Sequence, residues 1–285
     1  MPVNAQAVID RAFAPVTDAY GFERTILYAL GVGAATDLAP SDMTLVYERG
    51  LKALPTMAVV LGNESFWMDD PETGITFAQV LHGEQGLEIH KPLPPSAKLI
   101  GQTSVEGLFD KGTKGAVLLL KRTLHDDAAG DLIATVRASV FLRADGGFGG
   151  SCKGQPLPYP IPDRKHDLSI ALPTRPDQAL IYRLSGDFNP LHVDAVLAHT
   201  AGFDRPILQG LCSYGIAGRA IIRALCNGDP ERITRLDVRF SAPVYPGETL
   251  VTEIWREGPG RAAFRVRIAE RNVVALNNGL VEYKI

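Results

Sequence analysis

Apolar residues dominate the segment from Ile207 to Leu225. Arginines enter it only late, at positions 219 and 223, and its length favours a helix over a strand. Gly210, Gly215 and Gly218 would each cost about 1 kcal/mol relative to alanine inside a helix. Such costs are tolerated where a sheet or a ligand comes close to the helix. We therefore predict a largely buried helix over 207–225.

Alternation of apolar and polar residues replaces this pattern further along the chain. Positions 236–240 and 262–268 both alternate, and a period of two residues is typical of a strand with one buried face. Glycine, proline and asparagine clusters at 258–260 and 277–279 predict turns between strands. A buried helix followed by antiparallel strands describes a sheet wrapped around a helix, which is an α+β arrangement.

The first half of the chain shows similar strands but a less clear helix. Strands are predicted at 97–109, 115–124 and 131–142, and turn-forming residues join them at 110–112 and 126–130. The candidate helical segments are Ser41 to Leu54 and Met57 to Leu61, which Pro55 separates. The helix of the first half is therefore expected to be broken.

Two short matches indicate that the halves are repeats of one unit. The apolar segment 26–30 resembles 180–184, and the proline-containing segment 92–99 resembles 243–250. The offsets between the paired segments are 154 and 151 residues, so the matches occur in the same order at nearly the same distance. This regularity favours duplication of one fold unit.

A connector between the halves is visible at 143–163. It contains the glycine cluster 146–150, followed by prolines at every second position from 156 to 162. Alternating prolines favour an extended, stiff segment. The glycines lack dinucleotide-loop spacing, and prolines follow them where a helix should begin, so a phosphate-binding loop is not expected. We predict two domains, 1–150 and 151–285.

Composition excludes several classes of function. The chain is 46% hydrophobic and 21% charged, with a net charge of −3, which is typical of a globular protein and gives no sign of nucleic-acid or membrane binding. Cys152, Cys212 and Cys226 lack metal-type spacing and indicate buried thiols in a reducing compartment, so no metal site is expected. No signal pattern or peroxisomal carboxyl-terminal address is found, and a cytoplasmic location is the default expectation.

One loop concentrates the residues that could carry chemistry. Asp187, Asn189 and His192 lie within six positions of one another, and Pro190 forces Asn189 away from helical geometry. A carboxylate, an amide and an imidazole on one stiff loop suit general acid–base chemistry on a small molecule. The alternative is structural, because such residues are also common in turns and caps.

The repeat separates the two halves chemically. At an offset of 154, the first-half positions that correspond to Asp187, Asn189 and His192 carry no acid–base group, since they are Gly33, Ala35 and Leu38. If the halves are repeats, only the second retains this chemistry.

Several motifs together carry a resemblance to a known family. They are Tyr182 to His192, Gly210 and the segment 239–247 in the second half, with 28–34, His82 to Gln85, 91–94 and 110–112 in the first. From about residue 8 to the end, the chain resembles the (R)-specific 2-enoyl-CoA hydratases, the MaoC-like dehydratases of hydratase 2 type, and closely the hydratase 2 domain of the peroxisomal multifunctional enzyme.

The resemblance implies a double hot-dog fold and a set of catalytic roles. Asp187 and His192 would hold and activate the water that adds to a trans-2-enoyl-CoA, and Asn189 would orient it. The Gly210 N–H would stabilise the thioester enolate, as an unpaired donor at a helix amino terminus can. No cofactor is expected, since coenzyme A is part of the substrate, and the resemblance implies a homodimer.

Substrate contacts are implied at four further positions. His82, Gly83, Lys111 and Phe240 match positions that line the ligand in this family. Lys111 is equally compatible with an exposed hairpin lysine, and Phe240 with an ordinary core residue. The broken helix of the first half would leave room for a bulky acyl chain. Two other functions stay open: an acyl-CoA thioesterase and a non-catalytic acyl-CoA binding module on the same fold.

Overall fold

The structure is a computed structural model that describes residues 3–64 and 67–285. Within these residues, ten strands form one continuous antiparallel sheet. The strands of the first half are β1 (Val16–Tyr20), β2 (Val80–Ile89), β3 (Ala97–Asp110), β4 (Ala116–Asp126) and β5 (Leu132–Leu142). Those of the second half are β6 (Leu168–Pro173), β7 (Ile233–Phe240), β8 (Thr249–Gly258), β9 (Arg261–Ile268) and β10 (Val273–Tyr283). The strands predicted in both halves are confirmed.

The strand order shows the internal repeat. It runs β1-β3-β4-β5-β2-β7-β10-β9-β8-β6, so the second half repeats the first in reverse order. Two copies of one unit related by a two-fold axis give this mirrored order. The copies meet where β2 pairs with β7, with Leu87 opposite Leu236. The segment 143–167 between β5 and β6 contains neither helix nor strand.

The described helices are α1 (Ala5–Ile9), α2 (Phe22–Gly31), α3 (Met43–Val46), α4 (Gln178–Tyr182), α5 (Ala195–Thr200) and α6 (Gly210–Leu225). Helix α6 is the buried helix predicted at 207–225, beginning three residues later. It packs on one side of the sheet, which we call the inner face. None of the described helices is long and apolar enough to cross a membrane.

The glycines of α6 allow the first half to pack closely on the helix. A Cβ atom at Gly215 would lie 2.4 Å from Cγ1 of Val32, and one at Gly218 would lie 2.8 Å from Cγ2 of Thr56. Both contacted residues belong to the first half. The conformational cost of these glycines is therefore offset by packing between the halves rather than by contact with a ligand.

A buried ion pair also joins the two halves. Arg219 of α6 contacts Asp42 at 2.5 Å, and the two side chains are 3% and 2% exposed. Arg219 also donates to the Val32 carbonyl at 2.9 Å, and Arg223 contacts Asp42 at 2.9 Å. Each buried charge therefore has a partner from the other half, as buried charges require.

The helix of the first half differs from the prediction. Segment 41–54 is not one helix: it holds the four residues of α3 after a 3-10 turn at Pro40–Asp42. Residues 57–60 of the segment 57–61 belong to a second 3-10 turn, Pro55–Val60, which Pro55 begins. The ten-residue helix α2 was not anticipated. No described helix of the first half covers its inner face as α6 covers the second half.

The turn predicted at 277–279 is wrong. Strand β10 continues through these residues with a register shift, which makes the segment a β-bulge. Asn278 has a positive φ of 55°, and a Cβ atom at Gly279 would lie 2.5 Å from the Phe264 carbonyl oxygen. Asn and Gly serve here because the bulge needs a left-handed residue and a close approach of the backbone.

The glycine cluster 146–150 binds a carboxylate of the chain itself. Asp110 accepts hydrogen bonds from the backbone N–H groups of Gly147 and Gly149, both at 2.7 Å, and of Gly112 at 2.8 Å. These bonds, that from Gly147 foremost, lower the pKa of Asp110. The cluster therefore anchors the start of the connector to the end of β3.

Candidate active site

A stiff loop between α4 and α5 carries the candidate catalytic residues. Helix α4 passes into a 3-10 turn. Gly186 ends this turn in a left-handed conformation, with a φ of 116°. The Asp187 carboxylate accepts the Asn189 N–H at 3.2 Å, and the Asn189 side-chain oxygen accepts the Leu191 N–H at 3.0 Å. Asn189 is therefore the cap of the turn Pro190–His192. Local hydrogen bonds therefore set the direction of the Asp187 and Asn189 side chains.

Asp187 and His192 lie side by side. The distance between His192 Nε2 and the Asp187 carboxylate is 3.6 Å, and their side chains are 10% and 35% exposed. His192 Nδ1 lies 2.8 Å from the Ile207 carbonyl oxygen. Because a carbonyl only accepts, Nδ1 carries the proton, and in the neutral ring Nε2 is an acceptor that faces the carboxylate. One water molecule can therefore donate its two hydrogens to these two acceptors.

The amino terminus of α6 is linked to this pair through Ile207. Ile207, which accepts from His192, precedes Gly210 by three residues. Within the described residues, the Gly210 N–H has no hydrogen-bond partner, and the Gln209 side chain donates to the Ala179 carbonyl instead of capping the helix. The sixteen residues of α6 place a partial positive charge there. The site thus offers a free donor to a developing negative charge.

His82, Phe240 and Gly210 are brought together by long-range pairing. A Cβ atom at Gly210 would lie 3.1 Å from Cε1 of Phe240, and the ring centroids of Phe240 and His82 are 4.7 Å apart. Phe240 is half-buried and also packs against the hydrophobic core. Burial lowers the pKa of His82 to about 4, so this ring is neutral near pH 7.

Gly83 has a structural explanation of its own. The register of β2 against β5 shifts between His82 and Glu84, and a Cβ atom at Gly83 would lie 3.1 Å from the Ser139 hydroxyl. The bulge brings His82 and Gln85 to the same face of the sheet. Gly83 therefore determines where the His82 ring points.

Lys111 lies apart from these groups. Its ammonium donates to the Cys152 carbonyl at 3.1 Å and lies 5.7 Å from the centre of the Phe109 ring. A cavity of about 400 Å³ beside the connector is lined by Lys111, Lys153 and Arg239. In the structure, Lys111 has partners within the protein, and it does not contact the other candidate residues.

A cavity of about 230 Å³ occupies the inner face of the first half. We call it the first-half cavity: His82 and Leu211 line it on the side of α6, and Leu120, Val136 and Ala138 form much of its floor. It lies where the broken helix was expected to leave room. Leu211 follows Gly210 directly, so the cavity opens next to the free N–H group.

Sequence comparison assigns the chain to a family. The MFE-2 hydratase 2 N-terminal domain model matches residues 19–144, and the MaoC like domain model matches 159–278. The 3-hydroxyacyl-thioester dehydratase Y of Mycobacterium tuberculosis is 44% identical over 97% of this chain and 99% of that protein. The chain belongs to the MaoC-like dehydratase family.

Other members of the MaoC-like family agree in sequence and in fold. The peroxisomal enoyl-CoA hydratase 2 of Arabidopsis thaliana is 41% identical, over 90% of this chain and 88% of that protein. A MaoC-like dehydratase of Phytophthora capsici superposes with a TM-score of 0.87 at 36% identity, over 99% of each chain. The mirrored sheet with its buried helix is the double hot-dog fold of this MaoC-like family.

Proposed function

We propose that the protein catalyses the reversible hydration of trans-2-enoyl-CoA to (3R)-3-hydroxyacyl-CoA in fatty-acid or related acyl-CoA metabolism. One observation carries the proposal: the Asp187 carboxylate and His192 Nε2 lie 3.6 Å apart on the loop that leads to the free N–H of Gly210. Relatives named enoyl-CoA hydratase 2 and 3-hydroxyacyl-thioester dehydratase support the choice of reaction and substrate class.

In the proposed reaction, Asp187 and His192 act on the water, and the Gly210 N–H acts on the thioester oxygen. A water molecule donates to Asp187 and His192, and its oxygen attacks C3 of the enoyl group. The electron pair of the C2–C3 double bond moves toward the carbonyl and forms an enolate on the thioester oxygen, which accepts from the Gly210 N–H. The proton that leaves the water is then delivered to C2, and the enolate returns to a thioester.

Asn189 has a supporting role in this proposal. Its side-chain oxygen is committed to the Leu191 N–H. Asn189 thus shapes the loop and leaves its amide N–H₂ group to orient the water or the catalytic groups.

The substrate is proposed to extend in two directions from Gly210. The first-half cavity takes the acyl chain, with His82 and Phe240 at its mouth and Gly83 holding the His82 ring in place. Coenzyme A leaves toward solvent, and the basic cavity lined by Lys111 is where its phosphates would bind. Coenzyme A is part of the substrate, so the proposed reaction needs no separate cofactor.

One assay tests the proposal against its alternatives. Incubation with crotonyl-CoA should remove the conjugated absorbance without releasing free thiol. Release of thiol would indicate a thioesterase, and binding without either change would indicate a non-catalytic module. Either of these results would contradict the proposed hydration.

Two further proposals concern assembly and location. We expect a homodimer, by resemblance to the hydratase family, and a cytoplasmic location. A monomeric mass in light scattering at micromolar concentration would contradict the first. Recovery of the protein in an organelle fraction of its own cells would contradict the second.

A further inference from the structure

The first-half cavity has a polar wall that a plain hydrocarbon chain does not need. Near α6 its lining is apolar, with Leu211, Val140 and Ala138, whereas Asn63, Thr103 and Arg122 also line it. Arg122 is buried on β4, on the strand face that it shares with the half-buried Leu120 and the buried Leu124.

Strand register places this wall far from the catalytic loop. His82 pairs across β5 with Val140 and Leu118, whereas Arg122 lies four residues further along β4. With strands about 4.8 Å apart and a rise of about 3.4 Å per residue, Arg122 lies about 10 Å across the sheet and about 14 Å along it from His82. An acyl chain that starts at Gly210 and fills the cavity therefore ends near Arg122.

The Arg122 guanidinium is incompletely satisfied. It is 8% exposed, and it donates to the Asn63 side chain and to the Val59 carbonyl, both at 2.7 Å. Within the described residues, its buried Nε has no hydrogen-bond partner and no carboxylate forms a salt bridge with it, although the Asp18 carboxylate acts on it electrostatically. Burial lowers the pKa of Arg122 to about 10, which leaves the group charged at neutral pH. The five N–H groups of the guanidinium outnumber the two acceptors that the described residues offer, and a buried cation with spare donors favours a further acceptor.

We propose that Arg122 is a specificity-determining residue, and that the cavity accepts enoyl chains that carry an oxygen acceptor, such as a hydroxyl or a carboxylate, at the end remote from the thioester. The Arg122 guanidinium donates to this oxygen. The inference rests on the proposed hydration and adds the substrate class to it. A chain that ends in a methyl group leaves the donor buried and unpaired, which is unfavourable.

The wild-type protein provides the first test. Hydration is measured for trans-2-enoyl-CoA esters of increasing length, each with a terminal methyl, hydroxyl or carboxylate group. At the length that reaches Arg122, kcat/KM should be about 10-fold or more higher for an oxygen-terminated chain, as expected for a hydrogen bond to a charged donor. The hydroxyl and carboxylate arms distinguish a polar end from a charged one, since Glu64 also lines the cavity. Equal kcat/KM values at every length would overturn the inference.

The variant Arg122→Met tests whether Arg122 causes the preference for an oxygen-terminated chain. Arg122→Met should remove the preference for the oxygen-terminated chain and keep hydration of the methyl-terminated one. Because Arg122 also holds Val59 and Asn63, the melting temperature is measured, and the ratio of the two kcat/KM values is compared rather than either value alone. Loss of fold lowers both values together, whereas loss of recognition changes their ratio. If Arg122→Met does not fold, Arg122→Lys serves in its place, since it keeps the charge but loses the planar set of N–H donors.

Arg137→Met is the matched control. Arg137 lies on the neighbouring strand β5, is 44% exposed and pairs with Glu88 at 2.8 Å, so its replacement should leave the ratio unchanged. A preference that persists in Arg122→Met would overturn the inference. Absence of crotonyl-CoA hydration in the wild type would contradict the proposed function instead, and calorimetric binding of the same esters to the protein would then test the preference directly.

Discussion

At the scale of single residues, the Asp187–His192 pair is the first target. We expect His192→Ala and Asp187→Asn each to reduce hydration of crotonyl-CoA by about 10²- to 10⁴-fold, because each removes one partner of the acid–base step. The fold should persist, since each side chain makes only one hydrogen bond to the backbone in the described structure. Steady-state rates and circular dichroism measure the two effects.

The double variant and a control complete this test. The combined loss should be close to that of either single change, because groups that act as one unit fail together. His199→Gln, at the exposed end of α5, should retain wild-type turnover. Near wild-type activity in either catalytic variant would show that the acid–base pair is wrongly assigned.

His82 should make stability depend on pH. Its pKa is lowered from 6.5 to about 4 by burial, so between these values the unfolded chain binds a proton that the folded protein does not. Stability is therefore fully present above pH 6.5 and falls as the pH drops toward 4, by about 2–3 kcal/mol in total. Urea unfolding at pH 7.5 and 5 should show a smaller difference for His82→Gln than for the wild type. An equal pH dependence in both proteins would refute the assignment.

Residues close in sequence were predictable, and residues joined by folding were not. Asp187, Asn189 and His192 could be grouped because one short loop carries them and Pro190 stiffens it. The contact of His82 with Phe240 depends on pairing between the two halves, which no local pattern reports. Arg122 gave a detectable signal, since an arginine interrupts the apolar side of β4, but its role depends on the cavity around it.

At the scale of secondary-structure elements, the close packing on α6 gives a second kind of prediction. Gly215→Ala should destabilise the protein by about 1–3 kcal/mol through overpacking against Val32, although alanine favours a helix by about 1 kcal/mol. Chemical unfolding measures the change. Val32→Ala should restore part of the loss in the double variant, and a double-mutant cycle gives the coupling. A more stable Gly215→Ala protein would contradict the packing described here.

Elements with one strong pattern were predicted well, and those that depend on tertiary contacts were not. Strands β3, β4 and β5 are apolar-rich segments separated by turn-forming residues at 110–112 and 126–130, and α6 is largely apolar along its length. The segment 277–279 has the residues of a turn, yet its Asn and Gly serve a bulge within β10 because the neighbouring strands continue on both sides. Segment 41–54 is apolar in part, and this pattern favours a helix. In the structure it forms turns and the short helix α3 instead, and Asp42 within it pairs with Arg219 of α6.

At the scale of the whole molecule, neither half should work alone. A fragment that begins near residue 160 would lose the β2–β7 pairing and the contacts of α6 with Val32 and Thr56. It would also leave Arg219 without Asp42, which typically costs about 3–5 kcal/mol for a buried pair. We expect an insoluble or inactive fragment, and co-expression of both halves should recover hydration. A soluble, active fragment would contradict this dependence.

The stereochemistry of the product follows from the arrangement of the whole site. Asp187 and His192 lie together on one loop, and Gly210 holds the thioester oxygen in the proposed complex, so one face of the enoyl plane meets both catalytic groups. Water and proton should then arrive from the same side, which is syn addition. Hydration of crotonyl-CoA in D₂O should give a single C2-deuterated diastereomer, identified by proton coupling constants.

By resemblance to the family, the alcohol should be 3R, so a 3S-specific dehydrogenase should leave it unoxidised. Consumption of the product by that dehydrogenase would refute the assigned hand even though hydration had occurred, and a mixture of diastereomers would refute delivery from one loop.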